Sequence, residues 1–177
     1  MRLAVIFLAL TACASANTED TAARQPAIYS DKSGVVLGER PKSVGSNFAA
    51  PPTAVWIAVK QVYADLGIPV LVDNPPAHQL GNKDFNRTGR LAARPMTEFF
   101  DCGRGISGLN ASNFRIYISL LTEVTSDGNG GTKTLTTFTG SGQDMSGSST
   151  DRVPCASTGR FEQLFLDRVK AQVGPGK

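Results

Sequence analysis

Asn113 to Thr125, NFRIYISLLTEVT, sets Phe114, Ile116, Ile118, Leu120 and Val124 on one face and Arg115, Tyr117, Ser119 and Glu123 on the other. A period of two is the signature of a strand with one buried and one solvated face. The next stretch, Asp127-Gly128-Asn129-Gly130-Gly131, consists of residues that accept positive φ and close hairpins. Thr132 to Gly142, rich in threonine, then reads as the return strand. A hairpin with one apolar face must bury that face against another layer.

Two amphipathic segments can supply the layer. Pro52 to Leu66 places Val55, Val59, Val62 and Leu66 at helical spacing, with Trp56 and Tyr63 widening the stripe. Its prolines fall in the first turn, where they are tolerated, and Gly67 provides the stop. Thr158 to Val173 places Phe161, Leu164, Phe165 and Val169 opposite Arg160, Glu162, Asp167 and Lys170. Between them, Ile68 to Val72 reads as a short strand ended by Asp73-Asn74-Pro75-Pro76, and Gln79 to Phe85 as its return. Ile28 to Arg40 reads as a weak hairpin around Ser30 to Gly34 or as one strand with an irregular lead-in, and Ser146 to Thr150 as a loop. This order predicts an α+β fold, an antiparallel sheet of about four to five strands covered on one face by two amphipathic helices. Eighteen glycines and ten prolines among 177 residues agree with a β- and loop-rich chain rather than a helical bundle.

At the N-terminus, Arg2 precedes the apolar run Leu3 to Leu10 (LAVIFLAL), in the order of a secretory signal. The run is far short of the roughly 20 apolar residues a spanning helix needs, and no other stretch approaches that length. Its end, Leu10-Thr11-Ala12-Cys13, resembles a bacterial lipobox. The resemblance implies cleavage before Cys13 and acylation of its thiol and new amino group. Residues 1–12 are then a leader and 13–27 (CASANTEDTAARQPA) a lipidated, flexible tether of small and charged residues. Residues 28–177 form a single domain. Several acyl chains would give stable membrane residence, since one chain is only marginally retained. Ala14, where an Asp would favour inner-membrane retention, points to the outer membrane facing the periplasm. Ordinary secretion, with cleavage at the small-residue site Ala14-Ser15-Ala16, is the competing reading.

The stretch VWIAVKQVYADLGIPVLVD, Val55 to Asp73, is similar to the opening helix and Leu-Gly-hydrophobic strand of the BamC-type lipoprotein of the outer-membrane barrel-assembly machinery. Element order agrees from about Pro52 to Val173. The resemblance implies a helix-grip arrangement and an envelope location, and it carries no catalytic motif. The chain also resembles uncharacterised bacterial envelope lipoproteins of similar length, which again implies location rather than activity.

With Cys13 committed to lipid, Cys102 and Cys155 remain. Export to an oxidising compartment makes a disulfide between them the default; two buried thiols or a metal pair are the alternatives. Loss of Arg2 with the leader lowers the net charge from +3 to +2, too weak a balance to argue for nucleic acid.

Gly103-Arg104-Gly105-Ile106-Ser107-Gly108 matches the dinucleotide fingerprint literally, but a strand pattern follows where a helix is required, so it reads as a flexible connection. Asp127-Gly128-Asn129 opens like a calcium loop, yet Gly131 and Phe138 stand at ligand positions. His78 is the one histidine, in a proline-rich turn without a ligand-spaced partner, and the carboxylates are scattered singly. No catalytic residue, metal site or cofactor is assigned. The most suggestive polar feature is the basic group Lys83, Arg87, Arg90 and Arg94, with Arg104 beyond, suited to phosphate, acidic glycan or an acidic protein; a solvated basic loop is the bland reading. The expected function is a non-enzymatic structural or assembly module at the outer membrane, held by its lipid and engaging an envelope protein partner. The alternative is a small-ligand carrier with an apolar pocket between helix and sheet, lined by Trp56, Tyr63, Phe114 and Phe165.

Overall fold

The structure, a computed structural model, describes residues 43–147 and 150–174 and the backbone of 26–31 and 34–39. The leader, Cys13 and nearly all of the tether lie outside the described residues.

In chain order the elements begin with a hairpin, β1 (Pro26–Asp31) and β2 (Gly34–Glu39), followed by β3 (Ser43–Phe48), α1 (Pro52–Asp65), β4 (Val72–Asn74) and β5 (Gln79–Thr88). Five two-residue strands come next: β6 (Arg90–Leu91), β7 (Arg94–Pro95), β8 (Phe100–Asp101), β9 (Arg104–Gly105) and β10 (Gly108–Leu109). The one-turn helix α2 (Asn110–Asn113), β11 (Phe114–Ser126), β12 (Thr132–Asp144), β13 (Arg152–Ser157) and α3 (Arg160–Val173) complete the described chain.

β11 and β12 are the spine, paired antiparallel from Phe114 opposite Asp144 to Ser126 opposite Thr132. Their turn is closed by Asp127, whose Oδ1 accepts from the amides of Asn129 at 2.8 Å and Gly131 at 2.9 Å, with Gly128 and Gly130 at positive φ. β5 pairs with the other side of β11, and β4 with β5. Along the far side of β12, β3 lies against Thr132 to Thr137 and β13 against Gly140 to Gln143, end to end; β8 continues from β13.

The result is a seven-stranded sheet in which every described pairing is antiparallel. The fold is α+β as expected, but the sheet exceeds four to five strands. β3 (SVGSNF) and β13 (RVPCAS) lack apolar alternation and pair instead through backbone hydrogen bonds with one edge of a long neighbour. The expected strand at Ile68 to Val72 starts only at Val72 and runs through Asp73 and Asn74, because an edge strand tolerates polar residues that a central strand would not. The stretch 103–108 is no loose connection either: β9 and β10 pair as a small hairpin, and Asn110 braces it through a bond from its Nδ2 to the Cys102 carbonyl at 3.1 Å. Among the described residues no helix is long and apolar enough to cross a membrane.

The core lies on one face of the sheet. Ile116, Ile118, Leu120, Thr122 and Val124 of β11 are buried, as are Thr132, Thr134, Thr136 and Phe138 of β12. α1 buries Val55, Ala58, Val59, Val62 and Tyr63, while Trp56 is half-buried and Ile57 is 68% exposed. α3 buries Phe161, Glu162, Phe165, Leu166 and Val169. Tyr63 meets Phe165 edge-on at 5.4 Å; Phe161 stacks on Phe138 at 4.2 Å, and Phe138 on Phe100 at 4.6 Å. Offset or edge contacts of this kind add to the area buried.

Buried polar groups on this face are paired almost throughout. The Tyr63 hydroxyl donates to the Leu120 carbonyl at 3.1 Å and lies 3.3 Å from Thr122 Oγ1, and burial pushes its pKa well above the ordinary tyrosine value, the Thr122 bond opposing only in part. Gly81 makes room for that hydroxyl: a Cβ there would sit 2.2 Å from the Leu120 carbonyl oxygen and 2.8 Å from the Tyr63 oxygen. Glu162 accepts from Ser157 Oγ at 2.7 Å, and its other oxygen is buried without a partner. Its place in the first turn of α3 is where the helix dipole favours an acid.

Cys102 and Cys155 form a disulfide, with Cα atoms 4.2 Å apart and a separation of 53 positions in sequence. It joins the segment between β8 and β9 to the middle of β13, so the staple lies within the sheet and ahead of α3. For a loop of that length the chain-entropy account allows about 4 kcal/mol, an upper figure.

Candidate functional site

The opposite face of the same strands is solvated. Side chains alternate across the pleat, so Arg115, Tyr117, Ser119, Leu121, Glu123 and Thr125 of β11 point away from the core, and all are exposed or half-buried. Pairing carries this outward row onto β12 as Gln143, Ser141, Thr139, Thr137, Leu135 and Lys133, and onto β13 as Arg152 opposite Gln143.

One end of that face is shaped by an irregularity in β5. Phe85 pairs with Ile118 and Asn82 with Leu120, so Lys83 and Asp84 together face the single residue Ser119. This is a β-bulge, a device that re-aims side chains and recurs beside functional sites. Buried Asn82 holds it open: its Nδ2 donates to the Pro69 carbonyl at 2.8 Å, and its Oδ1 accepts from the Asp84 amide at 3.0 Å. Both Lys83 and Asp84 are exposed.

Across the sheet from the bulge, the Arg152 guanidinium reaches over β12 and lies 3.4 Å from the centre of the Tyr117 ring, a cation–π stack. The ring is fixed in turn, since the Tyr117 hydroxyl donates to Gln143 Oε1 at 2.9 Å and Gln143 Nε2 donates to the Thr150 carbonyl at 3.1 Å. Lys83, Asp84, Tyr117, Ser119, Thr139, Gly140, Ser141 and Arg152 surround an open hollow of about 320 Å³. Neither Lys83 nor Arg152 has an ion-pair partner among the described residues. The hydroxyls of Ser119, Thr139 and Ser141, these two cations and the Asp84 carboxylate make a surface that can bind a polar, anionic group.

Comparison with family models and with curated proteins finds no match to this chain.

The four basic residues singled out in the sequence take separate places. Lys83 lines the hollow. Arg87 pairs with Ile116 on the core-side face, where it donates to the Gly67 carbonyl at 2.6 Å just beyond α1 and lies 5.4 Å from the Phe85 ring centre. Arg90 donates to the Ala93 carbonyl within the β6–β7 hairpin. Arg94 pairs with Glu98 at 2.7 Å. The structure thus brings Lys83 together with Arg152, a residue that sequence reasoning did not select. The signal for it was weak: RVPCAS offers no alternation, and only its pairing with Gln143 sets Arg152 on the outward face. Tyr117 and Ser119 were legible as the polar side of the best strand, without any hint that they line a site.

His78 is exposed at positive φ, between a 3-10 turn and β5, and its carbonyl accepts from the Val124 amide. Asp73 pairs with Lys60 at 2.6 Å, and Asp101 caps the Gly103 amide. Of the rings expected to line an apolar pocket, Tyr63 and Phe165 touch one another while Trp56 and Phe114 are half-buried. None of the four lines the hollow, nor the open groove of about 410 Å³ between Lys60 and Val70.

Proposed function

We propose that this chain is a non-enzymatic binding module of the bacterial envelope, anchored through lipid on Cys13 at the outer membrane and facing the periplasm, with the open face of its sheet as the binding surface. The observation that carries the reading is the contrast between the two sides of β11 and β12. One side is closed by stacked rings from Phe100 to Phe161. The other bears a bulge, a stacked arginine without an ion-pair partner among the described residues, and a row of hydroxyls. A helix-grip arrangement, with α1 and α3 laid over the core side, accounts for the Tyr63–Phe165 and Phe138–Phe161 contacts. Envelope residence draws on two independent features: Leu10-Thr11-Ala12-Cys13, and a Cys102–Cys155 disulfide of the kind that persists in oxidising compartments. An apolar carrier would need space where these rings touch, so the module is the better reading.

Two measurements test it. Cys13→Ser should abolish incorporation of labelled palmitate and move the protein from the outer-membrane to the soluble fraction; unchanged labelling removes the anchor. A photo-crosslinking residue at Thr137, on the open face, should capture an envelope component, whereas one at Gln163 on the solvent side of α3 should not. Capture from α3 alone would transfer the binding surface to the helices.

A further inference from the structure

We infer that the hollow between the β5 bulge and β13 is a binding site for a carboxylate-bearing saccharide. The inference deepens the reading of the open sheet face as the binding surface and depends on it.

Four observations converge. The Arg152 guanidinium is held flat by the Tyr117 ring, which occupies its face and leaves its in-plane N–H donors for a ligand. A planar fork of donors matches a carboxylate in bidentate fashion. The ring beneath it is locked through Gln143 to the Thr150 carbonyl, so little order is lost when the arginine is engaged. Lys83 is brought to the same hollow by the bulge, and the bulge is built around a buried amide that uses both its ends. Among the described residues neither cation is held in an ion pair, so an anion would find both open to it.

The remaining groups narrow the ligand. Asp84 stands beside Lys83 in the hollow, and its carboxylate opposes a dense polyanion while accepting from ligand hydroxyls. Ser119, Thr139 and Ser141 each present a hydroxyl that donates and accepts. The set suits one carboxylate among several hydroxyls, as in an acidic sugar. A protein partner is less well served: hot spots at protein interfaces are centred on aromatic or aliphatic anchors in desolvated pockets, and this hollow offers hydroxyls and charges instead. A neutral sugar is less well served too, because the one aromatic face at the site is already covered by Arg152. About 320 Å³ accommodates one or two sugar units.

The test is a titration of the purified protein, followed by NMR shift perturbation, with two matched pairs: N-acetylmuramic acid against N-acetylglucosamine, and glucuronate against glucose. Within each pair the sugars differ in the presence of a carboxylate. Inorganic phosphate serves as a third probe. The expected result is binding of the acids, at least tenfold weaker binding of the neutral partners and of phosphate, and perturbed amides at Lys83, Ser119, Thr139 and Arg152. Lys83→Ala and Arg152→Gln should each weaken the acids about tenfold, the scale of one charge-assisted contact, while leaving the unfolding transition in place. Arg152→Lys should recover part of the loss. Equal binding of acid and neutral sugar, binding by phosphate at the same strength, or perturbations away from these residues would overturn the proposal. If the acids fail while Thr137 still crosslinks an envelope component, the ligand class is wrong and the open-face module stands; if both fail, the surface itself is wrong.

Discussion

The two faces of the β11–β12 hairpin share one backbone and differ in everything else. On the core side each residue is determined by what it touches: Phe138 lies between Phe100 and Phe161, and Thr122 and Thr136 bond to each other at 3.3 Å. On the open side, neighbours one position along in sequence meet water. The core side therefore carries stability, and the open side is free to carry recognition. Substitutions on the two faces should separate these properties cleanly.

The largest effect is expected at Phe138. Truncation to Ala removes the central ring of the stack and leaves a cavity between β12, β8 and α3, at a cost of about 3–5 kcal/mol. Urea unfolding measures it. A loss below about 1 kcal/mol would mean that the rings do not bear on one another as described, and the proposed division of labour would fail with them. Reduction of the Cys102–Cys155 bridge comes next. Removing it should lower stability by about 2–4 kcal/mol, seen as a shift of the unfolding midpoint between oxidised and reduced protein. Because Cys155 pairs with Gly140, whose Cβ position would fall 2.6 Å from the Phe100 ring, reduction should loosen the core side more than the open side. Hydrogen exchange should accordingly rise first around β8 and β13.

Tyr63 gives a smaller and more specific effect. Its pKa is raised in the folded protein by burial, above an ordinary value of 10.0. A raised folded value means that the unfolded chain releases the proton first. The contribution is fully present below about pH 10 and is lost as pH climbs toward the folded pKa. Stability should thus fall more steeply above about pH 10 in the natural chain than in Tyr63→Phe, which should itself be weaker by about 1 kcal/mol at neutral pH through loss of the hydroxyl's bonds. Parallel pH profiles for the two would show that the phenol is not desolvated.

How much of this was legible beforehand follows the same division. Residues whose role is packing announce themselves by period: Ile116, Ile118 and Leu120 alternate, Val55, Val59 and Val62 recur at helical spacing, and the structure buries all six. Gly128 and Gly130 marked the turn through the conformation they permit. Strands held by a neighbour's backbone leave no such trace, which is why β3 and β13 were missed and the sheet came out too small. The site was hidden for a related reason. Lys83 was visible as one charge in a basic segment, but a bulge is a mismatch of two strands and cannot be read from either one. Nor can the stacking of Arg152 on Tyr117, two residues 35 positions apart that the pairing of three strands brings together.

Thr139 is the sharpest probe of the contrast because it follows Phe138 in the chain and faces the other way. It is half-buried, lies opposite Ser119 and lines the hollow. Thr139→Ala should change stability by less than about 0.5 kcal/mol, the ordinary scale for a surface site away from packing, with a small cost from the lower strand preference of alanine. Its effect should instead appear as weaker capture of an acidic sugar, by about three- to fivefold if one neutral hydrogen bond is lost. Stability is read by urea unfolding and binding by the matched sugar titration, on the same preparation. A residue that mattered to folding as much as Phe138 would erase the distinction between the faces. One that mattered to neither would leave the open face polar without being selective, and the hollow would be an accident of the bulge.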